Sequence, residues 1–318
     1  MDILVGYTGF VGSNLCRQHG FTGLFNSKNI SEAAGTAPDL CVYSGVYAEK
    51  FTADKFPETD LMHIGQTLEN IKKIKAARLV LISTVDVIPA INAEDIYEDT
   101  RYKPDTLSPY GRHRLFLETE IRRLYPDTAC IIRLPGLFGR GLKKNFIYDL
   151  INFIPAALNP KKFEELNRDA ADKGVDLNNF YTPDENGFFR LNPGIPEEKR
   201  AQLKTLFEQL NFSALNFTDS RAVYQFYNLD YLWEHIQFAQ NSGTPLLHLA
   251  VEPVSAGEVY KAVKNTDFKN EITPNPPRYD YFKSRHAALL GGGGDTGYIF
   301  NKLRVLNEIK KFALLFSR

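Results

Sequence analysis

Gly6-Tyr7-Thr8-Gly9-Phe10-Val11-Gly12 follows the apolar run Asp2-Ile3-Leu4-Val5 and opens a stretch of helical character over residues 10–19. Glycine at such points lets the chain turn tightly out of a strand and lets an anion reach the free N–H groups at a helix N-terminus. Glycines alone would mark an ordinary turn; their placement between strand and helix is what predicts a dinucleotide-binding βα unit. Gly6, Gly9 and Gly12 are the candidate phosphate contacts, with Thr8, Phe10 and Val11 beside them.

Outward from this turn, short apolar runs alternate with helical stretches. Residues 23–26, 39–44, 78–84, 129–134 and 245–251 read as strands, 39–44 and 245–251 as buried ones. Between 60 and 75, Leu61, Ile64, Leu68 and Ile71 recur at helical spacing, and residues 109–124 form another helix. The alternation predicts an α/β fold, a Rossmann-like doubly wound parallel sheet with helices on both faces. It weakens after Asn159. Residues 160–215 are polar with two helical patches, the second opened by Pro196 at a first helical position and striped by Leu203, Leu206, Phe207 and Leu210. Residues 298–316 read as an amphipathic helix. The expected organisation is a dinucleotide-binding domain over 1–158, returning at about 216–251, with a smaller, discontinuous substrate lobe over 159–215 and 252–318.

Composition narrows the function classes. The 318 residues suit about two lobes, 43% are apolar, and 38 basic residues balance 38 acidic ones. Zero net charge argues against a nucleic-acid partner held by bulk positive charge. No apolar run reaches the length of a membrane span. Cys16, Cys41 and Cys130 are odd in number and show no paired spacing, which reads as reduced thiols in a cytoplasmic protein. The six histidines show no metal-ligand spacing, so no metal is expected. The run Gly291–Gly297 lacks the Gly-Lys-Ser/Thr of a P-loop and reads as a loop.

Gly9-Phe10-Val11-Gly12-Ser13-Asn14-Leu15 resembles the glycine turn of the extended short-chain dehydrogenase/reductase family, of NAD-dependent epimerase/dehydratase type. The resemblance continues in order. Ile82-Ser83-Thr84 resembles the strand carrying the family's catalytic Ser/Thr, and Tyr110-Gly111-Arg112-His113-Arg114 its Tyr-x-x-x-Lys helix. Ile132-Arg133-Leu134-Pro135-Gly136-Leu137-Phe138-Gly139 resembles the loop that closes over the nicotinamide. About 150 N-terminal residues match well, and residues 160–215 match nothing familiar.

The resemblance implies hydride transfer on a sugar or nucleotide sugar, as a reductase or an epimerase, with Thr84, Tyr110 and Arg114 as catalytic residues. A tyrosine of ordinary pKa is poorly matched to proton transfer at neutral pH. Arg114, one turn on, is expected to favour the phenolate. Arginine replaces the family's lysine and cannot lose a proton, which opens the alternative of a catalytically weakened dinucleotide-binding regulator or scaffold. His63 falls near the family's helix asparagine and reads as a packed or solvated histidine. Asp86 stands where dehydratases carry an Asp-Glu pair; one acid remains, which favours reduction or epimerisation over elimination.

Asn26-Ser27-Lys28, at the end of the second strand, lacks the carboxylate that takes a ribose 2′-OH and offers a cation, so NADP is expected, with NAD as the other candidate. The short link from Asn26 to Asp39 drops a βα unit, as in the dTDP-4-dehydrorhamnose reductases and GDP-fucose synthases. Ser44, Gly45, Pro135 and Leu137 complete the cofactor set. Asp86, Lys144, Asn145 and Gln225 form the substrate set, Lys143 and Lys144 being placed to hold a diphosphate. A small-molecule substrate is the expected partner, with no nucleic acid and no membrane; a homodimer is a candidate assembly.

Overall fold

The structure, a computed structural model, describes residues 1–89, 95–291 and 296–316. Residues 292–295, within the expected Gly291–Gly297 loop, lie outside this set. The chain divides into two units, one of residues 1–142, 223–254 and 278–308, the other of 143–222, 255–277 and 309–318. Relative to the sequence expectation, residues 143–158 and 216–222 fall in the second unit and 252–254 and 278–308 in the first.

In the first unit, β1 (Asp2–Val5), β2 (Gly23–Phe25), β3 (Leu40–Tyr43), β4 (Arg78–Thr84), β5 (Ala129–Leu134) and the strand Leu246–His248 build one six-stranded sheet. Its order is β2-β1-β3-β4-β5 followed by Leu246–His248, and every pairing is parallel. This is a Rossmann-like doubly wound fold. α1 (Phe10–Gln18) links β1 to β2, but only a 3-10 turn over Ile30–Ala33 stands between β2 and β3. The missing βα unit leaves β2 as the edge strand. The strand order reverses between β1 and β3, and such a switch point is where open α/β sheets bind ligands.

One face of the sheet packs on α3 (Pro57–Ile74) and α4 (Pro109–Leu124). Ile64, Leu68, Ile71 and Ile74 of α3 and Leu117 and Ile121 of α4 share a core with Ile3, Val5, Cys41, Leu79, Leu81 and Ile131. Leu61, expected to begin the α3 stripe, is exposed, and Asp60 is buried in its stead. The thiols of Cys41 on β3 and Cys130 on β5 are pushed up to about 12 by burial and are inert.

A polar row crosses the sheet beneath the site. Ser83, Arg133 and His248 lie in register on neighbouring strands. Ser83 Oγ donates to Glu118 Oε1 at 2.7 Å, and Arg133 Nη2 donates to Glu118 Oε2 at 2.6 Å. His248 Nδ1 donates to the Lys283 carbonyl at 2.8 Å and Nε2 accepts from Arg133 at 3.2 Å; burial holds this histidine neutral, at about 4. Glu118 is fully buried on α4, so the row ties that helix to three strands. Glu118→Ala leaves Arg133 buried without its counter-charge, and thermal melting is expected to show a loss of about 3–5 kcal/mol.

The second unit has its own core. Phe163, Leu166 and Ala170 from the helix Pro160–Ala171 meet Leu203, Leu206 and Phe207 from the helix Glu197–Gln209. Beside them lies an antiparallel sheet in the order Ala157–Leu158, Phe189–Leu191, Tyr181–Pro183. Pro196 caps the second helix rather than starting it, a displacement of one residue. The C-terminal helix spans Lys302–Phe316.

Candidate active site

Backbone sterics fix the glycine turn. Gly6 has φ +90°, and a Cβ there would lie 2.6 Å from the Gly45 backbone. A Cβ on Gly12 would lie 2.2 Å from the Gly6 carbonyl oxygen, so both residues must lack side chains. Gly6 N–H donates to the Phe25 carbonyl at 2.7 Å, and Ser44 donates through both N–H and Oγ to the Val5 carbonyl at 2.9 Å. The ends of β1, β2 and β3 are thereby gathered at the switch point. Gly9 is the N-cap of α1 and supplies no side-chain bond, so the first N–H groups of the helix lack one. A Cβ on Gly9 would approach only the Gly6 oxygen, at 3.3 Å, and Thr8 and Gly9 are exposed. An exposed helix N-terminus without a side-chain cap, lined by glycine, fits a dinucleotide phosphate.

The cofactor candidates past β2 and after β5 are half-buried or exposed. Phe10 and Val11 open α1 half-buried. Asn26 Oδ1 accepts the Lys28 N–H at 2.9 Å, and Asn29 Oδ1 accepts the Asn26 N–H at 2.8 Å, a tight turn that leaves Ser27 and Lys28 exposed past β2. Asn14 carries no signal of its role in the sequence: buried in α1, it donates to the carbonyls of Phe10 at 2.8 Å and Arg140 at 2.9 Å, joining the turn to the segment after β5. Pro135 and Leu137 are half-buried, Leu137 in the strand Gly136–Phe138 that pairs with Phe226–Asn228.

The candidate acid–base residues are gathered by one close approach. Thr84 ends β4, and its Oγ1 accepts the Asp86 N–H at 3.1 Å, closing a 3-10 turn over Val85–Val87. A Cβ on Gly111 would lie 2.3 Å from the Asp86 carbonyl oxygen, so this turn seats directly on α4 next to Tyr110. The short helix α2 (Lys50–Lys55), absent from the sequence expectation, ties down both sides. Lys50 Nζ donates to Asp86 Oδ1 at 2.6 Å, and Asp54 Oδ1 accepts the Tyr110 N–H at 2.9 Å. Burial lowers the Lys50 pKa and the Asp86 carboxylate raises it, the net being a rise.

Arg114 is nearly fully buried, its guanidinium carbon 3.9 Å from the centroid of the Tyr110 ring. It donates to Asp60 Oδ2 and to the Tyr47 carbonyl. Asp60 Oδ2 also lies 2.8 Å from His113 Nδ1. The expectation that Arg114 pulls the Tyr110 phenol down is not met: the phenol stands at about 12. Burial raises it more than Arg114 lowers it, and Asp86, Asp60 and Glu49 add to the rise. His63 is half-buried, 5.3 Å ring to ring from Tyr47.

Two substrate candidates are otherwise employed. Gln225 is 1% exposed; its amide donates to the Phe282 carbonyl and its oxygen accepts the Val251 N–H, both at 2.9 Å. It is a buried staple between backbone segments rather than a substrate contact. Asn145 has φ +102° and spends its side-chain oxygen on the N–H groups of Ile147 and Tyr148, capping the helix Phe146–Ile151. Lys144 is exposed, in the second unit with Asn145. Among the described residues, no three His, Cys, Asp or Glu side chains gather as a metal site, and no helix is long and apolar enough to cross a membrane.

No family profile and no curated protein matches the sequence. Solved structures match the fold along its length. A dTDP-4-dehydrorhamnose reductase from Yersinia enterocolitica aligns with a TM-score of 0.62 at 13% identity, covering 99% of each chain. RMD from Pseudomonas aeruginosa, complexed with NADPH, gives 0.63 at 12% identity over 99% of this chain and 98% of its own. A UDP-N-acetylglucosamine 4-epimerase from Methanobrevibacter ruminantium M1, in complex with UDP-N-acetylmuramic acid, gives 0.62 at 10% identity over 99% and 97%. At these identities the likeness is one of fold.

Proposed function

We propose that the chain is an NAD(P)-dependent oxidoreductase or epimerase acting on a sugar or nucleotide sugar. The observation that carries this reading is the seating of Gly111 on the Asp86 carbonyl, which sets Tyr110 beside the Thr84 turn. The glycine turn opens past the ends of strands in the same parallel sheet. Gly6, Gly9 and Gly12 would hold the pyrophosphate, Ser44 and Gly45 the neighbouring backbone, and Pro135 and Leu137 the nicotinamide end. When bound, a reduced nicotinamide supplies a hydride. Tyr110 delivers a proton to the substrate oxygen, and Thr84 Oγ1 steadies that oxygen. Enzymes of this fold that act on nucleotide sugars support the substrate class.

The assay is oxidation of NADPH in the presence of a panel of keto nucleotide sugars, read by nicotinamide absorbance. Turnover that depends on one such sugar supports the reading, and none across the panel counts against it. A second reading is favoured by the capture of Arg114 by Asp60 and Tyr47: a dinucleotide-binding protein with little turnover. Activity that appears only in Arg114→Lys would select it.

Lys28 directs the cofactor choice in this reading. NADP binds more tightly than NAD, and Lys28→Ala removes most of the difference, since a charged contact of this kind contributes about 1.5–3 kcal/mol. Parallel calorimetric titrations with the two dinucleotides read it directly, and a wild-type preference for NAD would place Lys28 away from the 2′-phosphate.

A further inference from the structure

Asp60 occupies the face of α3 that otherwise sends Ile64, Leu68 and Ile71 into the core, and it is 3% exposed. A carboxylate is costly there unless it holds something. Its Oδ2 takes Arg114 Nη1 and lies against His113 Nδ1, while Oδ1 and Arg114 Nε are buried without a hydrogen-bond partner. The partly satisfied pair fixes the guanidinium in one place, over the Tyr110 ring and hydrogen-bonded to the Tyr47 carbonyl.

We propose that Asp60 is a positioning residue that pins Arg114 on Tyr110 and offsets part of its charge there, so that Tyr110 is kept as a proton donor, as carbonyl reduction requires. The proposal rests on the functional reading of the site as a nicotinamide-dependent one. In that direction the reduced nicotinamide gives up a hydride to the carbonyl carbon and is oxidised. The C=O π pair moves onto oxygen, which takes the Tyr110 Oη proton to become an alcohol, and water reprotonates the phenolate. The reverse step needs Tyr110 as a base, and a phenol whose neighbouring cation is already matched ionises poorly.

The charges around the pair agree. α3 contributes Asp60 and His63, α4 contributes His113 and Arg114, and α2 contributes Lys50 and Asp54. Glu49 precedes α2, and Asp86 follows β4. Arg114 is matched by Asp60 and Lys50 by Asp86, and Asp86, Asp60 and Glu49 all oppose the phenolate.

The test is a pH titration of the Tyr110 ring carbon by NMR in tyrosine-labelled protein without cofactor, the signal assigned by its loss in Tyr110→Phe. In the wild type Tyr110 is still protonated at about pH 10, the ordinary tyrosine midpoint. Asp60→Asn, which keeps the shape and removes the charge, brings its ionisation down by about one to three pH units. An unchanged or higher midpoint in folded Asp60→Asn overturns the proposal. Should that variant fail to fold, Asp60→Leu with Arg114→Met removes both charges together. Tyr110 then shows no fall below the wild-type midpoint, and a fall would overturn the proposal by showing that Asp60 acts on the phenol other than through Arg114. Because no cofactor enters the titration, failure to bind a dinucleotide would remove the functional reading and leave this result standing.

Discussion

Tyr110→Phe removes turnover while NADP affinity stays close to that of the wild type. In the proposed function Tyr110 is the proton donor, and its loss costs about 10²–10⁴-fold in rate, the usual size of a general-acid contribution. Its ring is buried against Arg114, and phenylalanine keeps that packing, so the fold is retained. Arg114→Lys keeps or raises activity, because an ammonium preserves the cation at the same helical position and can also titrate. Arg114→Ala does worse, for it also leaves Asp60 buried without its partner, a loss of about 3–5 kcal/mol in stability. The rates of these variants, measured on the substrate found by the panel, carry the test. An established activity untouched by Tyr110→Phe would place the chemistry elsewhere.

The glycine turn predicts two different failures at neighbouring positions. Gly12→Ala puts a methyl group 2.2 Å from the Gly6 oxygen and 2.7 Å from its carbon, both backbone atoms that cannot step aside. The β1–α1 turn must open, and denaturant unfolding is expected to show a loss of about 3 kcal/mol or more, with dinucleotide binding gone as well. Gly9 has φ −75°, which any residue adopts, and its Cβ meets one oxygen at 3.3 Å. Gly9→Leu therefore changes stability by about 1 kcal/mol or less and still abolishes binding, since its side chain fills the phosphate approach. Equal losses of stability in both variants would mean that Gly9 serves the turn rather than a ligand.

The framework of the first unit is legible in the sequence because each element announces itself locally. β4, β5 and α4 begin and end at the expected residues, since apolar β-branched runs and Pro109 leave few alternatives. The dropped βα unit follows from the shortness of the 26–39 link. What is not legible depends on partners distant in sequence. α2 has six residues and one buried side chain, Ala53; it is tied down by what Lys50 and Asp54 hold across the fold. The strands of the second unit are two or three residues long and carry no periodicity. The pairing of Tyr110 with Arg114 is visible at helical spacing, but its consequence is not. Whether that cation lowers a phenol depends on burial and on Asp60, 54 residues away. The chain does carry one signal of it: Asp60 lies a turn before Ile64 on an apolar stripe, where an acid needs a buried cation. Gln225 misleads for the opposite reason, its amide being spent on backbone at Phe282 and Val251.

The central claim is that the Gly6–Gly12 turn is a nicotinamide dinucleotide site, and isothermal titration of the wild-type protein tests it most directly. The account predicts that NADP binds with one-to-one stoichiometry, that NAD binds more weakly, and that Gly9→Leu, folded, binds neither. Wild-type protein with no affinity for NADP or NAD would contradict it.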